Sequence, residues 1–363
     1  MLAQNSCAEG SRSLNAGHKR GNAMRKAIFA LLIVALLPLV GFNVAQAQPI
    51  KYAQAGMPFL KIDVGARAAL AGTQIGSQGD AMSVFYNPAL LAQADGIQVM
   101  SSVTNWIADI KHYGMAASYN MGNLGTFAVS LIYMDYGELR RTVPYLGEDP
   151  TLRNIGYIDQ GTFQVGEYAV GVAYARWISS QFAVGGHLKY AHQDLGSVVI
   201  YDEIRGENRT QKNALGNLAF DFGTLFYPGF KDFRFGLSLR NFAGQNDYYN
   251  QRFELPLTFC FGVAMDVLNL WTPESDRNMK LTVAFDWVHP RDYSERQHLG
   301  VEYSLANMLF LRAGYKFNYD EEGLTAGVGV KKDLGPVGLN VDYGYTSFGI
   351  FDSVSRFSLG VSF

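Results

Sequence analysis

The sequence predicts an all-β chain: a 14-stranded antiparallel transmembrane β-barrel with a short N-terminal helical plug. Three observations carry this. Beyond Gly96, segment after segment alternates apolar with small or polar residues, which is the period of a β-strand. These segments run about 10–14 residues, against roughly 5–6 in a sandwich strand and the 9–11 that a tilted strand needs to cross a bilayer. Short and long connections alternate between them, as they do in bacterial barrels.

Residues 1–47 stand apart from that pattern. Arg25 and Lys26 precede the apolar run AIFALLIVALLPLVGFNV, and Ala45-Gln46-Ala47 closes it. A basic start, a short apolar core and an A-x-A end read as a secretory signal peptide, cleaved after Ala47. Met24, just before the basic pair, is a candidate for the true start. A membrane anchor is the rival reading, but the run is short for a span of roughly 20 residues. Cys7 leaves with the leader, and Cys260 alone forms no internal disulfide.

Residues 48–95 make the next unit. Its core, KIDVGARAALAGTQIGSQGDAMSVFYNPALLAQA (61–94), does not alternate. Ala, Gly, Leu and Met dominate, which predicts one or two short helices broken at Gly72–Gly79 and at Asn87-Pro88. Asn87 suits a helix cap and Pro88 the first turn after it. An apolar segment ahead of a barrel needs burial, and the lumen offers it.

Residues 96–363 are the barrel. Strands are expected near 96–106, 110–121, 125–137, 162–177, 181–195, 213–227, 232–243, 254–268, 278–289, 297–304, 308–319, 323–333, 336–347 and 353–363. In 309–319, Leu309, Leu311, Ala313, Tyr315, Phe317 and Tyr319 share one face, with Arg312, Gly314, Lys316 and Asn318 opposite. Charge gathers on that second face throughout: Glu167, Lys189, Asp221, Arg234, Arg240, Asp266, Lys280, Asp286, Glu302, Arg312, Lys316 and Asp342. A lipid face excludes charge and a lumen tolerates it, so these are lumen-facing. The signs are mixed, which argues against strong ion selectivity.

MGNLG, ISSQ, LANM and DLGP are tight connections, and 269–277 is a longer one on the same side. Residues 138–161, 196–212 and 244–253 are long and polar. With both termini in the periplasm, the long loops face outward from the outer membrane of a Gram-negative cell. The closing stretch RFSLGVSF alternates to its last residue, so the chain ends in a strand that pairs with the first. Phe363 is then either a girdle aromatic or a signal for the outer-membrane insertion machinery.

The stretch GARAALAG…GDAMSVFYNPALLA resembles the start of the PorV/PorQ family of outer-membrane proteins, within the FadL-like barrel superfamily. Gly65, Arg67, Gly72, Asp80, Asn87, Pro88 and Ala89 match. Gly79-Asp80 stands where the family often has a double Asp, and Leu90 where it often has Gly. In motif the resemblance covers residues 63–92. It implies a component of type IX protein secretion, whose partners are the translocon or the C-terminal signal domains of cargo.

No CxxC, HExxH or His cluster points to a metal, no cofactor motif is present, and no G-x-S-x-G or readable triad points to catalysis. His112, His187, His192, His289 and His298 scatter over different strands, and whether His187 and Asp221 are neighbours stays open. A net charge of −2 gives no electrostatic case for nucleic acid. Arg67 and Asp80 are expected to pair and hold the plug. Tyr145, Leu146, Ile155, Tyr157, Ile158 and Tyr201 in the long loops are the candidate partner patch. Two functions fit: protein secretion through such a patch, or FadL-like passive uptake of hydrophobic molecules through the lumen.

Overall fold

The computed structural model describes residues 55–363 apart from 78, 146, 203–206, 249–250 and 273–277. The leader and residues 48–54 lie outside the described residues. The strands are β1 (Ile97–Asn105), β2 (Lys111–Asn120), β3 (Thr126–Asp135), β4 (Leu139–Pro144), β5 (Tyr157–Phe163), β6 (Gly166–Trp177), β7 (Phe182–Asp202), β8 (Glu207–Phe226) and β9 (Arg234–Phe242). They continue as β10 (Asn246–Tyr248), β11 (Gln251–Phe253), β12 (Thr258–Asp266), β13 (Met279–Pro290), β14 (Arg296–Leu305), β15 (Leu309–Phe317), β16 (Glu322–Leu334), β17 (Val337–Phe348) and β18 (Ser353–Ser362). Fourteen of these close into one antiparallel barrel, while β4–β5 and β10–β11 form separate hairpins.

Each barrel strand expected from the alternation is present, because a two-residue period leaves only one register that turns charge inward. β18 closes against β1 with Val103 opposite Phe357. The seam ends in a mutual pair: Phe363 N donates to Ile97 O at 2.8 Å and Ile97 N to Phe363 O at 3.1 Å. Phe357 and Leu359 are exposed on the outer face, and Arg356 and Ser358 are buried inward.

The plug differs from the expected one or two helices. It is a run of 3-10 turns at Pro58–Lys61, Ala66–Leu70, Ala81–Phe85 and Pro88–Gln93. Each piece is cut short by backbone chemistry, so none reaches the length at which an α-helix sustains itself. Ala71 and Gly72 both adopt positive φ, which ends the second turn. Asn87 caps the fourth: its Oδ1 accepts from Ala89 N at 3.0 Å, with Pro88 next in line.

The wall is shaped to the plug by glycine. Gly327 faces Gly344 across β16–β17, Gly300 faces Gly314 across β14–β15, Gly236 faces Gly262 across β9–β12, and Gly185 faces Gly223 across β7–β8. All point at the plug. A Cβ on Gly344 would lie 2.8 Å from Ala66 O, one on Gly300 2.6 Å from Leu70 O, and one on Gly185 2.5 Å from the Pro88 carbonyl carbon. The plug backbone therefore lies directly on the wall backbone, and any side chain there would displace it.

The plug threads the lumen in one direction. Tight turns, Gly96 and Phe363 occupy one end of the barrel, and the long loops the other. Ala55 bridges Glu254, between β11 and β12, at the long-loop end. The plug then runs down the lumen and enters β1 at the short-turn end, where Asn120 Nδ2 donates to Ala94 O at 2.7 Å. The carboxyl end thus lies on the short-turn side as expected, and Ala55 lies on the long-loop side; the expected position of the amino terminus falls on residues outside the described ones. The ion pairs described next fix this direction.

Candidate functional site

The wall of β13–β18 holds the first half of the plug by charge. Lys61 Nζ pairs with Asp292 at 2.6 Å, in the turn after β13. Lys316 Nζ on β15 pairs with Asp63 at 2.7 Å and with Glu322. Arg356 Nε donates to Asp63 O at 3.3 Å. Below them Arg312 joins Glu302 at 2.8 Å and Asp342 at 2.5 Å, and Ser77 Oγ donates to the same Glu302 at 3.2 Å. Arg67 and Asp80, both in the plug, pair at 2.7 Å. Arg312, Glu302, Asp342, Lys316 and Asp292 are buried, so each depends on its partner; removing one leaves the other stranded in low dielectric.

Around the rest of the lumen the plug is held mainly by amide and backbone bonds. Asn87 Nδ2 donates to Gln74 Oε1 and to Thr224 O, each at 3.0 Å. Arg234 Nε donates to Ile75 O at 3.0 Å and Arg240 Nη1 to Phe85 O at 3.2 Å. Gln74 N donates to Asp286 Oδ2 at 2.7 Å, and Gln74 Nε2 reaches Cys260 Sγ at 3.2 Å. Asp266 caps the turn at Val267–Leu270, and Lys280 is half-buried at the short-turn end.

His187 and Asp221, whose adjacency the sequence left open, are direct cross-strand partners. Ser130 Oγ lies 2.8 Å from His187 Nε2, and His187 Nδ1 lies 2.9 Å from Asp221 Oδ2. That is the order of a hydrolytic triad. The surroundings differ from one. Lys189 Nζ also holds Asp221 Oδ2 at 2.7 Å and Asn241 N donates to Oδ1 at 2.6 Å. A Cβ on Gly171 would overlap His187 Nε2, so the imidazole lies directly on the β6 backbone. The cluster bridges β3, β7, β8 and the Asn241 bulge of β9. Above it, Tyr136 Oη donates to Glu167 at 2.5 Å, and Gln193 holds the other carboxylate oxygen. Burial, and then Glu167, hold the Tyr136 phenol well above its ordinary value, so it stays a donor. Among the described residues no three His, Cys, Asp or Glu are grouped to hold a metal.

A polar cavity of about 230 Å³ lies at the short-turn end, lined by Arg67, Asp80, Gln98, Lys331, Asn340 and Phe363 among others. Inside the plug is a second cavity of about 30 Å³, beside Gln74 and Tyr86, room for little more than one water.

The other end carries the candidate partner surface. β4 and β5 form a hairpin enclosing the helix Pro150–Ile155, and the ends of β7 and β8 rise beside it from Ser197 to Lys212. Arg141 ties the two: Nη2 donates to Ser197 O at 2.7 Å and the guanidinium stacks on Phe163 at 5.0 Å. Ile155 is 51 % exposed, Tyr157 49 % and Ile158 40 %. Tyr145 departs from the expected patch. It is half-buried, and its Oη accepts from Asp149 N at 3.0 Å, closing the turn before the helix. Leu146 lies outside the described residues, as does the side chain of Tyr201.

A family model, described as "Type IX secretion system membrane protein PorP/SprF", matches residues 153–362, from inside this outer hairpin to the closing strand. The chain belongs to the PorP/SprF family. The motif resemblance had named the PorV/PorQ family; the model that matches is another of the type IX secretion membrane proteins. Among solved structures, the Pseudomonas putida toluene transporter TodX is 12 % identical, with a TM-score of 0.50, over 83 % of this chain and 98 % of that one. A Pseudomonas aeruginosa FadL homologue is 12 % identical with a TM-score of 0.49, over 82 % and 97 %. No curated protein sequence matches. At 12 % identity the likeness to TodX shows a shared barrel fold. The barrel and the family together place this PorP/SprF chain in the outer membrane of a Gram-negative cell, with short turns inward and long hairpins outward.

Proposed function

We propose that this barrel serves type IX secretion as a docking protein: it presents its outer hairpins to the C-terminal signal domain of a secreted cargo or to the translocon, and catalyses no reaction. The single observation behind this is the exposed Ile155, Tyr157 and Ile158 on a hairpin standing outside the membrane. Apolar side chains in water, grouped on a braced support, are what a protein partner covers. Tyr157 adds a large, rigid contact of the kind that dominates binding energy. The lumen supports the same reading, because ion pairs and backbone bonds fill it with plug.

Deleting residues 143–158, which removes Ile155, Tyr157 and Ile158 together with the strand ends paired to them, tests the proposal. Cargo bearing a shared C-terminal signal domain is expected to accumulate in the periplasm while the barrel still assembles. Normal export with that deletion would overturn it. The second reading, passive uptake of a hydrophobic compound, rests on the shared fold alone. It predicts slower entry of labelled hydrophobic compounds into cells that lack the protein.

A further inference from the structure

The plug leaves one part of the lumen uncovered. Its turn at Ala66–Leu70 packs on β14–β18, the turn at Ala81–Phe85 on β1–β3, and Pro88–Gln93 on β3 and β6–β8. From Asp80 onward the plug has therefore crossed the lumen, and the short-turn ends of β15–β18 stay bare. The polar cavity of about 230 Å³ lies there, against Arg312, Lys331, Asn340 and Ser362, with Gly338 and Gly360 adding depth. Its volume is that of roughly eight waters at about 30 Å³ each. Pockets for drug-sized ligands run to roughly 300–1,000 Å³. An occupant must be small.

The charges around the cavity select its chemistry. Arg67 is answered by Asp80, and Arg312 by Glu302 and Asp342. Lys331 is different. β15 stops pairing at Leu309–Val330, and β16 continues to Leu334 against β17 alone. Lys331 thus stands on an exposed ledge just past the last register pair with β15. Its cross-strand neighbour is Asn340, and Gly338 faces Ser362 on the next pair of strands. On the plug side the cavity is lined by Asp95, exposed where the plug ends and β1 begins. Among the described residues neither the Lys331 ammonium nor the Asp95 carboxylate has an ion pair or hydrogen bond. One unanswered charge of each sign, one on the barrel wall and one on the plug, matches a molecule that carries both. We propose that this pocket is a periplasmic binding site for a small zwitterion, an amino acid or a dipeptide, with its carboxylate at Lys331 and its ammonium at Asp95. A lone anion would leave Asp95 unanswered, and a lone cation Lys331. Arg67 and Asp80 line the same cavity, so the ligand rests against the ion pair that joins the turn at Ala66–Leu70 to the one at Ala81–Phe85.

The test uses the folded barrel purified in detergent and titrated in a calorimeter. The probes are L-alanyl-L-alanine, N-acetyl-L-alanine, which lacks the ammonium, and L-alaninamide, which lacks the carboxylate. Saturable binding of the dipeptide is expected, with each one-charge analogue at least about tenfold weaker, the loss of one hydrogen bond to a charged group. Lys331→Met and Asp95→Asn are each expected to weaken the dipeptide by a similar factor. Both side chains are exposed. Each variant is first checked for a heat-resistant folded barrel, and either one suffices if the other fails to assemble. Absence of dipeptide binding at millimolar concentration would overturn the proposal. So would equal binding of N-acetyl-L-alanine, which would make this a site for anions, or dipeptide binding that a folded variant leaves unchanged. The readout is heat in a purified protein, so it succeeds or fails separately from the secretion reading.

Discussion

Strands β13–β18 grip the first half of the plug with charge, whereas β3–β8 bed its second half against small side chains. On the first flank Lys316, Arg312, Glu302, Asp342 and Arg356 turn inward in ion pairs and hydrogen bonds. On the second, Ala128, Ala169, Ala173, Ala175, Ala183 and Ala191 are buried against it. The rims differ in the same sense. Above the charged flank the outer connections are the short turns 291–295, 318–321 and 349–352; above the alanine flank stand the hairpins at 139–163 and 195–212. Holding the plug and reaching for a partner are therefore assigned to different sides of one barrel. A partner pressing on the tall side meets a bed without strong anchors, while the anchors lie across the lumen.

The largest effect should come from the charged flank. Arg312→Ala leaves Glu302 and Asp342 buried without their cation, a loss of about 3–5 kcal/mol, to be read in urea unfolding of the barrel in lipid. A cost no greater than that of an alanine-flank change would erase the distinction between the flanks. Next, Gly185→Leu forces side-chain volume against Pro88, with an expected cost of about 1–3 kcal/mol in the same assay. A smaller change is Tyr136→Phe, which removes the donor to Glu167 and should cost about 1 kcal/mol. Smallest in stability is Ile155→Ser/Tyr157→Ser/Ile158→Ser, expected to stay within about 0.5 kcal/mol yet to lose export of signal-domain cargo in a secretion assay. If that variant unfolds the barrel instead, the tall hairpins are part of the scaffold rather than an addition to it.

The barrel was legible because its chemistry is periodic. A one-residue slip would turn Arg312 and Lys316 into lipid, so alternation alone set strand, face and closure. The plug was legible as a buried segment and not as a path. Nothing local to Lys61 names Asp292, 231 residues on, as its partner. The inward glycines were visible as residues, but their pairing across strands appears only once register is known. The triad-like order of Ser130, His187 and Asp221 escaped for the same reason: its members lie 57 and 34 residues apart. At the outer patch, Ile155, Tyr157 and Ile158 are exposed, whereas Tyr145 is half-buried with its hydroxyl committed to its own turn.

The paired glycines also bear on how such a lumen can open. Bare backbone against bare backbone makes the wall a mould cast on one position of the plug. Advancing the plug by a single residue would bring the Leu70 side chain toward the place that Gly300 keeps clear for its carbonyl, and would carry Pro88 off the hollow at Gly185. Partial strokes therefore meet steric stops in both directions. A ratcheting gate is incompatible with this geometry: the plug is either seated at one notch or out of its bed altogether.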